Sequence, residues 1–261
     1  MDREALTQRL VEITELENPD EAISAAVQKL SDEATSTTST IGDFVWDAYD
    51  AIFHAVEQVS ADKQSTLVEF VTQLSKVELR DARGQPLMYE GGKVWTDMPA
   101  FGWYARDLWN FDPLSESFTI NKRLELESSS TFLALLTAKS DIKNPKDPFN
   151  FSLFGLWSLR TAFEENPGRD VDITAAVRLA APWVSAAGHV LWKLSQDGSD
   201  IAGGSGIPGP KYAEREWKGF TTDRWQVWKD GFVAAQDWMA HPEAKEIAKA
   251  AAGVMEKAST S

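Results

Sequence analysis

Eleven tryptophans among 261 residues, with no cysteine and three histidines, limit what this chain can fold into. An indole ring is large and rigid, and burying one removes roughly 150–250 Å² from water. At ~25 cal/mol per Å², that burial contributes about 4–6 kcal/mol per ring as an upper estimate. The indoles therefore predict either an aromatic core or an aromatic-lined cavity. The lack of cysteine excludes disulfides, thiolate nucleophiles and sulfur-ligated metals.

Charge excludes several classes of partner. The net charge is −14, and residues 1–60 alone carry thirteen acidic and three basic side chains. A nucleic-acid-binding protein needs a basic surface that releases counterions, and anionic membranes attract the same kind of surface. We therefore expect neither a nucleic acid nor a membrane as a partner. Residues 1–4 lack the pattern of a signal peptide, and the longest apolar run, residues 132–136, is far shorter than the ~20 residues of a membrane span. These features predict a cytoplasmic location.

Apolar residues recur with the 3.6-residue period of helices along almost the whole chain. This pattern predicts an all-α fold, one helical-bundle domain of about eight to ten helices that ends in a helical hairpin. A short extended piece is expected near residues 87–89 or 93–95, which glycines flank. The candidate helices span residues 3–17, 20–35, 41–59, 62–78, 98–110, 117–139, 152–165, 171–196, 222–240 and 243–257. The helix over residues 171–196 has a wide apolar arc, which predicts a central position with neighbouring helices on most sides.

Composition divides this single domain, residues 1–261, into four regions. Acidic helices occupy residues 1–78, and an aromatic-rich helical core occupies residues 95–196. Residues 197–211 are rich in glycine, serine and proline, which is typical of a flexible lid or linker. Residues 220–258 form the predicted C-terminal hairpin. No sequence feature indicates the oligomeric state.

Two helices place indoles beside polar groups, and they supply the candidate substrate-binding residues. In helix 98–110, Trp103 lies on the polar face, opposite a core stripe that contains Tyr104. Such an indole is either packed under a loop or lines a site. In helix 222–240, Trp225 and Trp228 share an apolar stripe with Gln236, which would give the indoles a polar partner. Core packing is the alternative for these rings.

The candidate catalytic residues are Asn121 and Glu125. In a continuous helix over residues 117–139, both would fall within an apolar stripe formed by Phe118, Ile120, Leu124, Phe132, Leu135 and Leu136. Burial raises the pKa of a carboxyl group, which suits general acid or base catalysis. Two alternatives remain: the serines at 128–130 break the helix, or Glu125 pairs with an arginine such as Arg160.

Metal chemistry has little support. The three histidines are scattered without the spacing of a metal site, and we expect no metal and no cofactor. Asp43, Asp47 and Asp50 share one helical face, as in terpene cyclases that hold Mg²⁺ against a diphosphate. Their spacing differs from that motif, and a charged helical face is usually a solvated one.

Two segments resemble a known family. One runs Val94-Trp95, Met98-Pro99-Ala100-Phe101 and Arg106-Asp107-Leu108-Trp109; the other is Arg224-Trp225-x-x-Trp228 with Phe232, followed by an alanine-rich helix. Together they are similar to fungal helical proteins catalogued as a domain of unknown function (DUF3632-like), over about the last two-thirds of the chain. The resemblance implies an all-helical fold, a fungal intracellular origin and an association with natural-product pathways. It implies no catalytic residues.

These observations lead to one functional hypothesis and two alternatives. The first is a cofactor-independent enzyme or binding protein for an apolar small molecule in an aromatic-lined cavity, with a cyclase or pericyclase as its catalytic form. Such reactions need shape, an orienting hydrogen bond and excluded water instead of a nucleophile. The alternatives are a non-catalytic helical interaction protein with a tryptophan-rich core and a Mg²⁺-dependent enzyme resembling terpene cyclases.

Overall fold

The computed structural model describes residues 1–37, 40–115, 117–144, 146–167 and 171–260. Over these ranges it contains ten α-helices and one two-stranded ribbon, so the all-α prediction is confirmed. None of the helices in this part of the chain is long and apolar enough to cross a membrane. The chain forms two compact units, Met1–Asn110 and Phe111–Ser261.

The first unit is built around a long amphipathic helix, α3 (Ile41–Gln58). Phe44, Tyr49, Ile52 and Phe53 of α3 are buried. Helices α1 and α5 pack on α3, and α4 packs on α1 and α2. The helices of this unit are α1 (Arg3–Thr14), α2 (Asp20–Ser36), α3 (Ile41–Gln58), α4 (Gln64–Leu74) and α5 (Phe101–Leu108).

The predicted extended piece is a small hairpin. Strand β1 (Met88–Tyr89) pairs antiparallel with β2 (Gly92–Lys93), with Met88 opposite Lys93. After the hairpin, Trp95, Met98 and Ala100 have φ values of 67°, 45° and 65°. Because left-handed residues do not continue a right-handed helix, α5 begins at Phe101 instead of residue 98.

The helices of the second unit surround one central helix, α8 (Thr174–Asp197), as the apolar arc of that helix predicts. Helix α8 contacts each of the other four helices, and α9 packs on α10, which confirms the C-terminal hairpin. At Gly188 of α8, a Cβ atom would lie 3.1 Å from the side chain of Val254, so α10 approaches α8 closely there. The helices are α6 (Ile120–Lys139), α7 (Ser152–Phe163), α8 (Thr174–Asp197), α9 (Thr222–Trp238) and α10 (Pro242–Thr260).

Helix α6 is continuous, and the serines at 128–130 do not break it. Its buried face matches the predicted stripe in the second half of the helix, where Phe132 and Leu136 are buried, but not in the first half. Leu126, Ser130 and Leu133 are buried, whereas Ile120 and Leu124 are exposed. Because the sequence prediction took Ile120 and Leu124 as core residues, it placed the buried face on the wrong side at the start of the helix.

The glycine-rich segment 197–211, predicted as a flexible lid or linker, forms main-chain hydrogen bonds with residues 218–220. Ile201 N donates to Lys218 O (2.7 Å), and Phe220 N donates to Ser199 O (2.9 Å). At Gly219, a Cβ atom would lie 2.1 Å from Ser199 O. Glycine at this position therefore allows two backbone segments to approach each other.

Candidate functional site

A fully buried ion pair joins α7 to α9. The carboxylate of Glu164, at the end of α7, accepts hydrogen bonds from Nε and Nη2 of Arg224 at 2.8 and 3.0 Å, and both side chains are inaccessible to solvent. Glu164 also accepts from the indole N–H of Trp228 (2.7 Å) and from the backbone N–H of Gly209 (2.8 Å). A buried charge pair is stable only when its remaining hydrogen-bonding capacity is satisfied, and here it is.

The other N–H groups of Arg224 fix the preceding loop. They donate to the main-chain oxygens of Gly206, Gly219 and Ile207 at 2.7, 2.7 and 3.2 Å. The guanidinium also lies 5.4 Å from the ring centroid of Trp228. Because these groups are buried and paired, the arrangement serves to hold the fold together.

Trp228 and Gln236, two predicted substrate-binding residues, do not form the expected polar pair. Trp228 is fully buried, its N–H is bound to Glu164, and its ring packs edge-on against Phe220. Gln236 is half-buried and donates to the main-chain oxygen of Phe232 at 3.5 Å. The hydrogen-bond partner of the Trp228 N–H is Glu164, which approaches from α7.

Asn121 and Glu125, the predicted catalytic residues, are on the outer side of α6. Asn121 is exposed, and the side chain of Glu125 is 44% exposed and pairs with Lys122 at 3.2 Å. The predicted burial of these two residues is wrong, since the inner face of α6 is rotated away from them.

Tyr104 and Trp103, the remaining candidates, lie on α5 in the first unit. The Tyr104 hydroxyl donates to Asp50 Oδ1 at 2.6 Å, and its ring stacks on Phe53. Burial raises the pKa of the Tyr104 hydroxyl above its ordinary value, and the hydrogen bond to the Asp50 carboxylate raises it further. Trp103 is 56% exposed, as its polar-face position predicts. Tyr104 is thus a packing residue, and Trp103 is a lone exposed ring.

The aspartates of α3 are engaged separately. Asp50 lies 2.8 Å from Nη1 of Arg3 and 3.5 Å from Nδ1 of His54, in addition to its bond with Tyr104. Asp43 is exposed and Asp47 is half-buried. Among the residues that the structure describes, no group of three histidine, aspartate or glutamate side chains has the geometry to hold a metal ion.

The site with the most binding potential is a cavity of about 590 Å³ in the second unit, where α6, α8 and α10 begin. We call it the α6–α8–α10 cavity. Its apolar wall is formed by Phe118, Ile120, Ala175, Pro242 and Ala244, and its polar wall by Thr119, Arg123, Asp172, Thr174, Arg178, His241 and Glu243. The ring of Phe118 stacks on Phe111 with centroids 5.7 Å apart, which adds an aromatic surface.

Two arginines and one carboxylate organise the polar wall. Glu127 of α6 accepts from Nη1 of Arg123 (2.7 Å) and from both Nε (2.7 Å) and Nη2 (3.1 Å) of Arg178. The Arg178 side chain is only 10% exposed, and its Nη2 also contacts Glu243 at 3.1 Å. The hydrogen bonds to Glu127 raise the pKa of Arg178, although its burial acts in the opposite direction. The guanidinium therefore stays charged at the edge of the cavity.

Helix geometry adds to this positive field. The first N–H groups of a helix lack intrahelical partners, and the helix dipole favours negative charge near them. Three helices begin at the cavity.

Sequence reasoning missed this site, although Arg178 gave a signal: it is the first charged residue of a long, mostly apolar helix. Glu164 and Arg224 were missed because they are remote from each other in sequence, and Glu127 was missed because its partner Arg178 lies on another helix, although Arg123 is four residues away on α6.

A second cavity of about 480 Å³ lies between α1 and α2. Its floor includes Leu6, Ala26 and Leu30, and its rim carries loosely paired charges. The rim pairs Arg9–Glu12 and Lys29–Glu33 are both separated by 3.9 Å, and all four side chains are at least 39% exposed. Exposed pairs of this kind contribute little to binding. The α6–α8–α10 cavity, with its nearly buried arginine, is the better candidate.

Comparison with known proteins places the chain in a family. A family model described as "Protein of unknown function (DUF3632)" matches residues 49–232, more than half of the chain. That span includes Arg123, Arg178, Glu164 and Arg224, whereas Glu243 lies beyond it. Neither the search of curated proteins nor the search of solved structures gives a match. The chain belongs to the DUF3632 family.

Proposed function

We propose that this protein binds a small organic molecule in the α6–α8–α10 cavity. The observation that carries the proposal is the combination of an apolar wall with a nearly buried, charged arginine in a cavity of about 590 Å³. The volume lies within the roughly 300–1,000 Å³ of typical ligand pockets, which combine apolar walls with polar groups that orient the ligand. Here seven of the twelve lining residues are polar or charged.

The tryptophans do not identify this site, since the residues that line the cavity include none of them. Trp95, Trp183, Trp225 and Trp228 are all fully buried. Packing therefore explains much of the indole content, and the number of indoles does not by itself indicate a ligand. Phe118 is the aromatic residue among those that line the proposed site, and its ring stacks on Phe111.

The catalytic form of the proposal is a cofactor-independent cyclase or isomerase of a fungal natural-product pathway. A guanidinium held rigidly by Glu127 orients a polar group of a substrate and stabilises negative charge that develops on it. The apolar wall excludes water from the rest of the substrate.

The expected result is a new chromatographic peak of unchanged mass when the protein is incubated with a fungal metabolite extract. If heat-denatured protein gives the same peak, the catalytic form is wrong.

Three probes that share one apolar body test the binding proposal: phenylbutanol, phenylbutyrate and phenylbutylamine. We expect at least one probe to raise the melting temperature and to give saturable binding heat in calorimetry, since a ligand that binds only the folded state stabilises it. Ala175→Leu fills the cavity from α8 and should abolish that binding.

The control is Ala186→Leu, which adds the same volume to a half-buried alanine of α8 away from the cavity. It should bind the probe as the parent does. If no probe binds, or if Ala175→Leu binds as well as Ala186→Leu, the cavity is not the ligand site. In the first case, the non-catalytic interaction protein becomes the better description.

A further inference from the structure

Arg178 makes two unequal contacts at the edge of the cavity. Toward α6, it forms a two-pronged hydrogen bond with Glu127, whose side chain is 18% exposed. Toward α10, it has a single contact of 3.1 Å with Glu243, whose side chain is 77% exposed. The first contact is structural because Arg123 also holds Glu127 in position at 2.7 Å. The second is open to water.

The Glu243 contact is weak on physical grounds. An exposed ion pair with one hydrogen bond is screened by water and requires a long side chain to stay ordered, so it contributes little. Glu243 also lines the cavity. A carboxylate on a bound ligand would form the same hydrogen bond to Nη2 of Arg178 while its apolar body contacted the opposite wall.

We propose that the ligand of the α6–α8–α10 cavity is an apolar carboxylic acid whose carboxylate replaces Glu243 on Arg178. Glu243 is then an internal competitor that occupies the guanidinium while the cavity is empty. The inference rests on the proposed function and specifies the ligand's chemical class. The first turns of α6, α8 and α10 favour the same negative group.

The contacts of Arg178 support a single anionic group. Glu127 and Glu243 each give this guanidinium a carboxylate partner, and Glu243 reaches it from the solvent side. Asp172, the other carboxylate that lines the cavity, is exposed and accepts a hydrogen bond from the main-chain N–H of Thr174 at 2.8 Å. A ligand carboxylate would take the place of Glu243 on Arg178, whereas an ammonium group would bring a like charge against the guanidinium. Phenylbutylamine should therefore bind weakly.

The test measures dissociation constants by calorimetry for phenylbutyrate and phenylbutanol with the full-length chain. We expect phenylbutyrate to bind more tightly than phenylbutanol. Glu243→Gln removes the competing charge from an exposed position and should tighten phenylbutyrate binding by about 1.4- to 5-fold, the range for one exposed ion pair. The same substitution should leave phenylbutanol binding unchanged.

Glu246→Gln is the matched control. Glu246 is an exposed residue of α10 that pairs with Lys249 and does not line the cavity, so this variant changes the net charge equally. It should not change phenylbutyrate binding. If both substitutions tighten binding equally, or if Glu243→Gln weakens it, the competitor role is wrong.

The failure of this inference can be distinguished from failure of the proposed function. If phenylbutyrate and phenylbutanol bind equally and Ala175→Leu abolishes both, the cavity is the ligand site but the assignment of a carboxylic acid is wrong. If Ala175→Leu changes neither, the proposed function itself fails.

Discussion

Replacing Arg224 by methionine should destabilise the second unit by about 3–5 kcal/mol, the usual cost of leaving one member of a buried ion pair alone. In the structure, Arg224 donates two hydrogen bonds to Glu164 and three to main-chain oxygens, at 2.7–3.2 Å. After the substitution, Glu164 keeps only the N–H groups of Trp228 and Gly209. Each main-chain oxygen left without a partner costs about 1–3 kcal/mol before relaxation. The free energy of unfolding should therefore fall by at least about 3 kcal/mol.

Urea denaturation followed by circular dichroism and tryptophan fluorescence measures this cost. Glu164→Gln and the double variant Glu164→Gln/Arg224→Met complete a cycle that isolates the energy of the pair. The double variant should lose clearly less free energy of unfolding than the two single variants together, because it contains no unpaired buried charge.

Lys193→Met supplies the comparison, because Lys193 and Asp197 form a similarly short pair, 2.8 Å, in which both side chains are about half exposed. That variant should change the free energy of unfolding by less than about 0.5 kcal/mol. If Arg224→Met costs no more than Lys193→Met, or if the two buried substitutions are additive, the reasoning about the Glu164–Arg224 pair is refuted.

Three further predictions concern other parts of the chain. The raised pKa of Tyr104 means that the folded state keeps a proton that the unfolded state loses above about pH 10, so stability should fall as pH rises past this value. Tyr104→Phe should reduce that fall, which thermal melts in alkaline buffers measure; an unchanged slope would show that Tyr104 does not contribute. Gly219→Ala should lower the melting temperature, since its Cβ would lie 2.1 Å from Ser199 O, whereas Gly253→Ala, on α10 with open space around it, should leave stability equal or slightly higher. Equal melting temperatures for the two variants would contradict the close approach at Gly219. Glu125→Gln should change stability by less than about 0.5 kcal/mol and leave probe binding intact, because it removes only an exposed pair with Lys122; loss of binding in this variant would restore Glu125 as a site residue.

The sequence predicts the helices well because their signal is local. The 3.6-residue period identifies ten helices within one to three residues at most ends, and the apolar arc of α8 correctly predicts a central helix. The start of α5 was missed because Met98 and Ala100 adopt left-handed conformations that periodicity does not reveal.

The candidate site is harder to predict because it depends on contacts between distant segments. Glu164 and Arg224 are sixty residues apart, and Arg178 and Glu127 are fifty-one apart. No local pattern specifies such partners. The face of α6 was misassigned because Ile120 and Leu124 are apolar yet exposed, and Ile120 lines the cavity instead of the core. An apolar residue at a ligand site looks like a core residue in the sequence.

Amide chemical shifts decide whether the α6–α8–α10 cavity is the ligand site. In a titration of the isotope-labelled chain with phenylbutyrate, we expect saturable shifts centred on Thr119, Thr174 and Ala244, which line the cavity at the beginnings of three helices. The same titration of Ala175→Leu should leave those amides unmoved. Shifts that centre on residues outside the cavity, or shifts that persist unchanged in Ala175→Leu, would contradict the binding proposal.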